Sequence, residues 1–310
     1  MDKHSSPQFH SSFYLPTYWP TWIALGLFYV IARLPYGCGL WLGKCVGALF
    51  FRLAGSRRRI AETNVDLCFP ELSAVERQAL VRGILTSCGV SLMESAMALW
   101  GPADKFRARH NIQGLEYLRQ AQSQGLGVLL VGCHFTTLDA AARILAFYTA
   151  YDMLYRKDPN PLLAYELIRA RESFAGNAIV RSDTRQLIRN LRQGNVVWYA
   201  PDQDYGMKHS VFAPFFGVQA ATVTATAKVA QLGKAVVLPF AHYRDAQGVY
   251  SLEIGAPLEA FPSGDERADA ARINQLFEVA IRRQPDQYLW VHRRFKTRPE
   301  GEPSLYRKNK

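Results

Sequence analysis

The sequence predicts an α/β protein, with a mostly parallel sheet sandwiched by helices and a hydrophobic, membrane-anchoring helical segment before it. Short, almost wholly apolar runs recur along the chain, as expected for strands that are buried on both faces of a parallel sheet. Helix-like segments of crossover length separate these runs. The third observation is an apolar, acid-poor N-terminal region. With 310 residues, 49% of them hydrophobic, the chain can bury a substantial core.

The N-terminal region is nearly free of acidic residues between Trp19 and Gly55. Its uninterrupted apolar run, Trp22 to Ala32, is shorter than the roughly 20 residues of a membrane-spanning helix. A shallow or tilted insertion therefore fits as well as a full span, and two buried core helices are the alternative. A basic cluster follows that suits anionic lipid headgroups; it comprises Arg52, Arg57, Arg58 and Arg59. We assign residues 1–55 to the tail and anchor and residues 56–310 to the folded domain.

The elements of the folded domain follow from local patterns. Ser73 and Glu76 have capping-box spacing, which predicts the start of a long amphipathic helix that runs to Trp100. Apolar runs predict strands at Gly127–Gly132, Ala178–Val180, Val196–Ala200 and Ala235–Phe240, with a weaker one at Tyr288–Val291. Crossover helices are predicted at Leu138–Phe147, Pro161–Phe174, Thr184–Arg192 and Thr222–Leu232.

The charge balance predicts anionic partners. The chain has 37 Lys plus Arg against 26 Asp plus Glu, a formal net charge of +11. Such an excess indicates phosphates, acidic proteins or a membrane surface, and charge alone leaves nucleic acid possible. The five cysteines are an odd number without close-paired spacing, so they suggest neither a disulfide framework nor a zinc site. A reducing compartment fits best.

A histidine and an aspartate follow the most strand-like run, in GVLLVGCHFTTLDAAARIL. His134 comes at the end of the predicted strand, where open α/β sheets bind ligands. Asp139 lies in the first turn of the next helix, where the helix dipole favours an ionised carboxylate. A neutral imidazole held by this carboxylate could take a proton from a substrate hydroxyl. We predict that His134 and Asp139 form a reaction centre; the alternative is two polar residues that lie close by chance.

Other nucleophiles have weaker support. Cys133 points away from His134 on an extended chain, so a small buried cysteine is expected there. The sequence has no G-x-S-x-G elbow, GCGLWLGK lacks P-loop spacing, and the remaining histidines show no metal-ligand spacing.

A second polar cluster is VVWYAPDQDYG, in which an apolar strand runs into Asp202 and Asp204. The two carboxylates could hold a divalent ion, as in a metal-dependent glycosyltransferase. They could also form a turn, contact a polar headgroup or position an arginine. Arginines that could bind phosphate or dock an acidic carrier protein occur at Arg156, Arg169, Arg171 and Arg181, and on one helical face at Arg185, Arg189 and Arg192. Most such basic stripes are simply solvated.

Three blocks resemble the late (secondary) acyltransferases of lipid A biosynthesis, the lauroyl, myristoyl or palmitoleoyl transferases. They are HFTTLD, WYAPDQDYG followed by SVFAPFFGVQAATVT, and YLWVHRRFKTRP, and the resemblance covers nearly the whole chain. The first block is shared with the wider lysophospholipid and glycerophosphate acyltransferase superfamily, whereas the later blocks are more specific. Lipid A transferases often carry glutamate where this chain has Asp139. APDQDYG stands where glycerophosphate acyltransferases have a Phe-Pro-Glu-Gly-Thr type block, which counts against glycerol phosphate as acceptor.

The resemblance implies a glycerophosphate acyltransferase-like fold, with an acyltransferase domain over residues 56–310. It implies an enzyme of the bacterial inner membrane, facing the cytoplasm, that uses acyl carrier protein as acyl donor. The acceptor would be the hydroxyl of a 3-hydroxyacyl chain on a Kdo-bearing lipid A precursor, an anionic glycolipid. No metal, no cofactor and no nucleic acid are expected.

By residue-by-residue carry-over, His134 would be the general base and Asp139 its partner. Arg171 would contact the phosphorylated acceptor or the developing charge, and Arg156, Arg181 and Asp202 would support substrate binding. Three alternatives remain: a metal-dependent glycosyltransferase that uses Asp202 and Asp204, an acyltransferase that acts on another glycolipid, and a non-catalytic membrane adaptor.

Overall fold

Helices and strands alternate along the chain in this computed structural model, which describes residues 7–306. The helices are α1 (Trp19–Ile31), α2 (Tyr36–Leu53), α3 (Gly55–Cys68), α4 (Ala74–Trp100), α5 (Asp104–Arg107), α6 (Leu115–Ser123), α7 (Leu138–Leu145), α8 (Pro161–Glu172), α9 (Thr184–Arg192), α10 (Ala225–Gly233) and α11 (Glu266–Arg283). The strands are β1 (His110–Gln113), β2 (Val128–Val131), β3 (Asp152–Tyr155), β4 (Ala178–Val180), β5 (Val196–Tyr199), β6 (Ser210–Phe215), β7 (Val218–Val223), β8 (Val236–Arg244) and β9 (Tyr250–Ile254).

Seven of the strands in residues 7–306 form one sheet, in the order β1-β9-β8-β2-β5-β3-β4. Neighbouring strands are parallel except β8 and β9, which are antiparallel. β6 and β7 form a separate antiparallel hairpin. The prediction of a mostly parallel sheet between helices is confirmed. Because β2 pairs with β5 in parallel, with Leu129 opposite Val197, the loops that leave their carboxyl ends lie side by side.

Two hydrophobic clusters cover the two faces of this sheet. Successive side chains of a strand point to opposite faces, and β2 divides accordingly. Leu129 and Val131 pack in a cluster with residues of α3 and α11, whereas Val128 and Leu130 pack with residues of α4 and α7. All four β2 residues are buried, which explains why this strand reads as a continuous apolar run without alternation.

Most of the predicted elements are present. The helix from Ser73 has its capping box, with Ser73 and Glu76 bonded reciprocally, and α9 has the predicted bounds. Two predictions are wrong in part. The segment 222–232 begins as strand, because Val218–Val223 pairs with β6, and helix α10 starts only at Ala225. The predicted strand at 288–291 is an irregular segment after a 3₁₀ turn, with a single bridge between Tyr288 and Phe135.

The N-terminal helices combine close packing with an exposed apolar surface. Helices α2 and α4 touch at glycines: a Cβ on Gly43 would lie 2.6 Å from the Cα of Val90, and one on Gly89 would lie 2.3 Å from the backbone nitrogen of Gly47. Large apolar side chains of α1 and α2 are nevertheless exposed, and Trp19, Ile23 and Leu27 of α1 share one face. The predicted boundary at residue 55 coincides with the start of α3, and the division into two domains stays a prediction.

Helix length bears on the membrane anchor. Helix α1 has 13 residues, roughly 20 Å of helix, against about 30 Å of hydrocarbon in a bilayer. Within residues 7–306, α4 is long and apolar enough to cross a membrane, but 61% of its apolar window is buried inside the fold. Helices α2 and α3 combine sufficient length and hydropathy only when they are taken together, as a pair bent by 90°. The lengths and the exposed face favour the shallow insertion over the full span for α1.

Candidate active site

The predicted general base has a carboxylate partner, and that partner is Asp202. His134 follows β2 by three residues, and Asp202 follows the neighbouring parallel strand β5 by three residues. The His134 Nδ1 lies 2.5 Å from Asp202 Oδ1, and the His134 backbone N–H donates to Asp202 Oδ2 at 3.0 Å. Two residues that are 68 positions apart in sequence therefore form one unit at the carboxyl edge of the sheet.

The prediction that Asp139 orients the imidazole is wrong. Asp139 Oδ1 instead accepts hydrogen bonds from Arg171, at 2.9 Å from Nη2 and 3.3 Å from Nε. Asp139 is the second residue of α7, and Arg171 lies in the last turn of α8. The ion pair therefore links the start of α7 to the end of α8. Both side chains are largely buried, with exposed fractions of 13% and 22%. The site thus contains two separate carboxylate pairs, His134 with Asp202 and Arg171 with Asp139.

The electrostatics of the first pair prepare the imidazole as a base. A carboxylate only accepts hydrogen bonds, so Nδ1 carries the proton and Nε2 has the free lone pair. Burial alone would lower the pKa of His134, but the charge and hydrogen bond of Asp202 outweigh burial and raise that pKa above its ordinary value. Burial acts to raise the pKa of Asp202, yet the interactions with His134 hold it below the usual range. Asp202 is therefore an ionised partner, ready to stabilise an imidazolium.

The loop that carries His134 is held from the C-terminal side. Leu289 N–H donates to the His134 carbonyl oxygen at 3.0 Å, and Thr136 N–H donates to the Gln287 carbonyl oxygen at 2.7 Å. The segment after Gln287, predicted as a strand, thus braces the loop rather than joining the sheet. Further along the loop, Thr137 Oγ1 lies 2.8 Å from Nδ1 of His242. Burial, with a smaller effect of His134, lowers the pKa of His242 to about 3, so this ring is a neutral brace.

A cavity of about 1250 Å³ opens beside the two pairs. Its polar lining includes five of the six predicted site residues: His134, Asp139, Arg156, Arg171 and Arg181. The sixth, Asp202, is 1% exposed and lies behind the imidazole, so its predicted role in substrate binding is corrected to support of His134. Apolar side chains from α7, β3, α8 and α10 line the rest, including Leu138, Ala142, Met153, Leu167, Ile168, Val229 and Leu232. Such a mixture suits a long acyl chain with a polar end.

Arg156 and Arg181 stand on the outer side of this cavity. Both are exposed, and the Arg181 guanidinium lies 5.2 Å from the ring centre of Tyr205, which also lines the cavity. The cation of Arg181 is therefore oriented by Tyr205 and remains exposed towards an anionic ligand. Arg171 is less exposed than Arg156 and Arg181, because it pairs with the largely buried Asp139.

The geometry of Asp202 and Asp204 disfavours the metal-site alternative. Both Asp202 oxygens accept from His134. Asp204 Oδ1 accepts from Gly206 N–H and the Thr297 hydroxyl, and its Oδ2 accepts from Thr297 N–H at 2.6 Å. Donors thus face all four oxygens of the pair. Asp204 fits the turn interpretation, since it ties its own loop to the C-terminal segment.

Cys133 matches the expectation of a small buried thiol. Its side chain is 1% exposed, and burial raises the pKa of the thiol well above its ordinary value. A thiol in that state is a poor nucleophile. Sequence reasoning missed several polar residues of the lining, among them His292 and Lys296 from YLWVHRRFKTRP. Their signal was present, because that block lies among the quoted motifs, but nothing local shows that a C-terminal segment returns to the end of β2.

Comparison with known proteins gives consistent matches over the whole chain. The profile of the bacterial lipid A biosynthesis acyltransferase family matches residues 6–297. The lipid A biosynthesis lauroyltransferase of Escherichia coli K12 is 39% identical over 302 residues, covering 97% of this chain and 99% of that protein. The palmitoleoyltransferase of the same strain is also 39% identical, over 96% of this chain and 98% of its own. The myristoyltransferase of that strain is 30% identical, over 97% and 94%.

Proposed function

Because this chain belongs to the bacterial lipid A biosynthesis acyltransferases, we propose that it transfers a fatty acyl chain from acyl carrier protein to the hydroxyl of a 3-hydroxyacyl chain on a Kdo-bearing lipid A precursor. The observation that carries the proposal is the His134–Asp202 pair at the edge of a large, partly apolar cavity. The family makes the protein an O-acyltransferase of lipid A biosynthesis. The donor, the acceptor hydroxyl and the mechanism are our proposals.

The proposed reaction uses His134 as general base. Its Nε2 takes the proton of the acceptor hydroxyl while the hydroxyl oxygen attacks the carbonyl carbon of the acyl thioester. The tetrahedral intermediate then breaks its carbon–sulfur bond, and the departing thiolate takes the proton back from the imidazolium. Asp202 stabilises that imidazolium throughout and keeps the proton of Nδ1 in place. The products are an ester and a free thiol, and the balance requires no metal or other cofactor.

In the proposed reaction, Arg171 stabilises the charge that develops on the thioester oxygen. It donates to Asp139 through Nε and Nη2, and we assign the remaining Nη1 group to the thioester oxygen. The Asp139 charge is the main cause that raises the pKa of Arg171, so the guanidinium stays charged despite burial. A fixed cation in a partly desolvated site can stabilise an oxyanion at little cost of reorganisation. Asp139 is then the residue that positions Arg171.

We expect Arg171→Ala to lower kcat by roughly 100-fold to 1,000-fold, the usual effect of removing one oxyanion donor. Arg171→Lys should restore only part of the rate, because an ammonium group cannot reproduce the planar fork that holds Asp139. Steady-state kinetics with acyl carrier protein thioester and lipid acceptor would measure both effects. The matched control is Arg169→Ala on the same helix: Arg169 is 61% exposed, pairs with Glu166 and lies outside the cavity lining. An Arg171→Ala enzyme with a raised KM and an unchanged kcat would assign Arg171 to substrate binding instead.

The approach of the two substrates is also a proposal. The exposed apolar face of α1 and α2 suits a membrane surface, and we place it on the inner membrane with the cavity facing the cytoplasm. Arg185, Arg189 and Arg192 of α9 are exposed. The first residue of this helix, Thr184, lines the cavity. A basic helix beside the cavity suits the acidic surface of acyl carrier protein.

Mass spectrometry of lipid A from cells with and without this protein tests the proposed function. We expect one acyl chain to be missing when the protein is absent, and the mass difference identifies the chain. Purified protein should then restore that chain in vitro from acyl carrier protein thioester and the under-acylated precursor. An unchanged lipid A profile, together with no thioester turnover in vitro, would refute the proposed function. Transfer to a different glycolipid would correct only the acceptor.

A further inference from the structure

A second cavity, of about 360 Å³, lies between the start of α3 and the C-terminal segment. We call it the basic pocket. Its lining consists of Ser56, Arg57, Ile60, His292, Arg293 and Lys296. Three of the six are permanent cations, and the lining contains no acidic residue. The basic pocket is thus a concave site of one sign of charge, a different situation from a solvated basic stripe on a convex surface.

Arg57 and Arg293 each have a contact that orients the guanidinium, and none of the three cations is neutralised by a carboxylate within the described residues. The Arg57 Nη1 donates to the Val291 carbonyl oxygen at 3.2 Å, and the Arg293 guanidinium lies 5.9 Å from the ring centre of Tyr306. Across residues 7–306, no ion pair links Arg57, Arg293 or Lys296 to a carboxylate, whereas Arg58 of the same helix pairs with Glu62. Helix α3 begins at the pocket without an acidic residue in its first turn, which adds to the positive field. An anion with several oxygens, such as a phosphate, would complete the charge balance.

The location of the basic pocket indicates where the anion comes from. Helix α3 follows α2 after a single residue, and α2 ends in the exposed apolar side chains of Leu49 and Leu53. The pocket therefore begins where the apolar face ends, which is the level of lipid headgroups in the membrane orientation proposed above. His292 and Lys296 line both the basic pocket and the catalytic cavity, so the two spaces are neighbours. An amphiphile bound here could keep its other acyl chains near the membrane while the hydroxyl of one acyl chain reaches His134.

We infer that the basic pocket binds an anionic headgroup, a phosphate or a carboxylate, of the glycolipid acceptor. The inference rests on the proposed function and adds a binding site whose lining does not include Arg156 or Arg181. The same headgroup chemistry occurs in the acidic phospholipids of the bilayer, so the experiment has to separate the acceptor from its surroundings. The structure favours the acceptor, because Lys296 and His292 connect the pocket to the reaction centre.

The test compares Arg57→Gln, Arg293→Gln and the double variant with the wild type in zwitterionic detergent micelles that contain no acidic phospholipid. We expect the Kd and the KM for the acceptor to rise about 10-fold or more for each lost charge-assisted contact, while kcat and the KM for the thioester donor stay unchanged. Arg52→Gln is the control, since Arg52 is an exposed cation of the same basic cluster and lies outside the pocket lining. It should behave as the wild type does.

A second arm uses binding to vesicles of phosphatidylcholine with and without phosphatidylglycerol. Weaker binding of the variants to the acidic vesicles, combined with a wild-type Kd for the acceptor in micelles, would overturn the inference and assign the pocket to bulk lipid. A wild-type Kd in micelles with unchanged vesicle binding would overturn it as well. Failure of the proposed function looks different: the wild type would bind the acceptor, but it would not transfer an acyl chain to it. Direct binding therefore tests the pocket whatever the result for turnover.

Discussion

His134→Ala is expected to lower kcat by roughly 100-fold to 10,000-fold, the range for loss of a general base. The imidazole Nε2 is the basic atom that faces the cavity from the end of β2, with its Nδ1 fixed by Asp202. Without it, the lipid hydroxyl has to attack the thioester as a neutral alcohol. The KM values for both substrates should change little, because a base that acts in the transition state adds little to ground-state binding. Thioester consumption, followed as released thiol, measures the effect.

A second substitution separates basicity from hydrogen bonding. Glutamine at position 134 can still donate to Asp202 but has no basic nitrogen, so His134→Gln should be as inactive as His134→Ala. Both variants should unfold at the wild-type temperature and stay associated with the membrane fraction. A His134→Gln enzyme with near-normal turnover would show that the imidazole only holds the loop, and the general-base assignment would be abandoned.

The fold was predictable from sequence wherever the residues of a segment show by themselves how the segment is buried or where it begins. Strand β2 is buried on both faces, so its aliphatic run was sufficient to predict a strand. The start of α4 was predictable because Ser73 and Glu76 have the spacing of a capping box. Strand β1 gave no such signal, because its residues alternate between half-buried and exposed positions at the edge of the sheet. The β6–β7 hairpin was missed for a related reason: its strands pair with each other rather than with the main sheet, so no crossover pattern marks them.

The candidate site was predictable in its members but not in its pairing. His134 and Asp139 are near each other in sequence, and that nearness suggested a partnership. In the fold, Asp139 binds Arg171 of α8. Asp202, which is 68 positions from His134 in sequence, contacts the imidazole because β5 pairs with β2. Strand order is a property of the whole sheet, and no local pattern encodes which strand lies beside β2. The same limitation hid His292 and Lys296, which reach the site from the last part of the chain.

The structural pairing leads to a prediction that the sequence would not have made: Asp202→Asn should be more damaging than Asp139→Asn. Both oxygens of Asp202 accept from His134, one from the ring and one from the backbone. An asparagine can accept with only one atom. If its NH₂ group faces the backbone N–H of His134, two donors oppose each other. If the NH₂ group faces Nδ1, the ring proton moves to Nε2 and the imidazole can no longer act as the base. We expect kcat of Asp202→Asn to fall by roughly 1,000-fold to 10,000-fold.

The pH dependence distinguishes this role from a merely structural one. Activity requires neutral His134, and Asp202 raises the pKa of that imidazole, so the wild-type rate should fall on the acid side at a higher pH than an ordinary histidine would give. In Asp202→Asn the raising influence is lost and burial remains, which lowers the pKa, so the acid limb of the residual activity should move to lower pH. In Asp139→Asn the limb should stay where it is in the wild type, because Asp139 binds Arg171. If the limb moves in Asp139→Asn and not in Asp202→Asn, the imidazole has changed partner in the working enzyme, and the original pairing of His134 with Asp139 is restored.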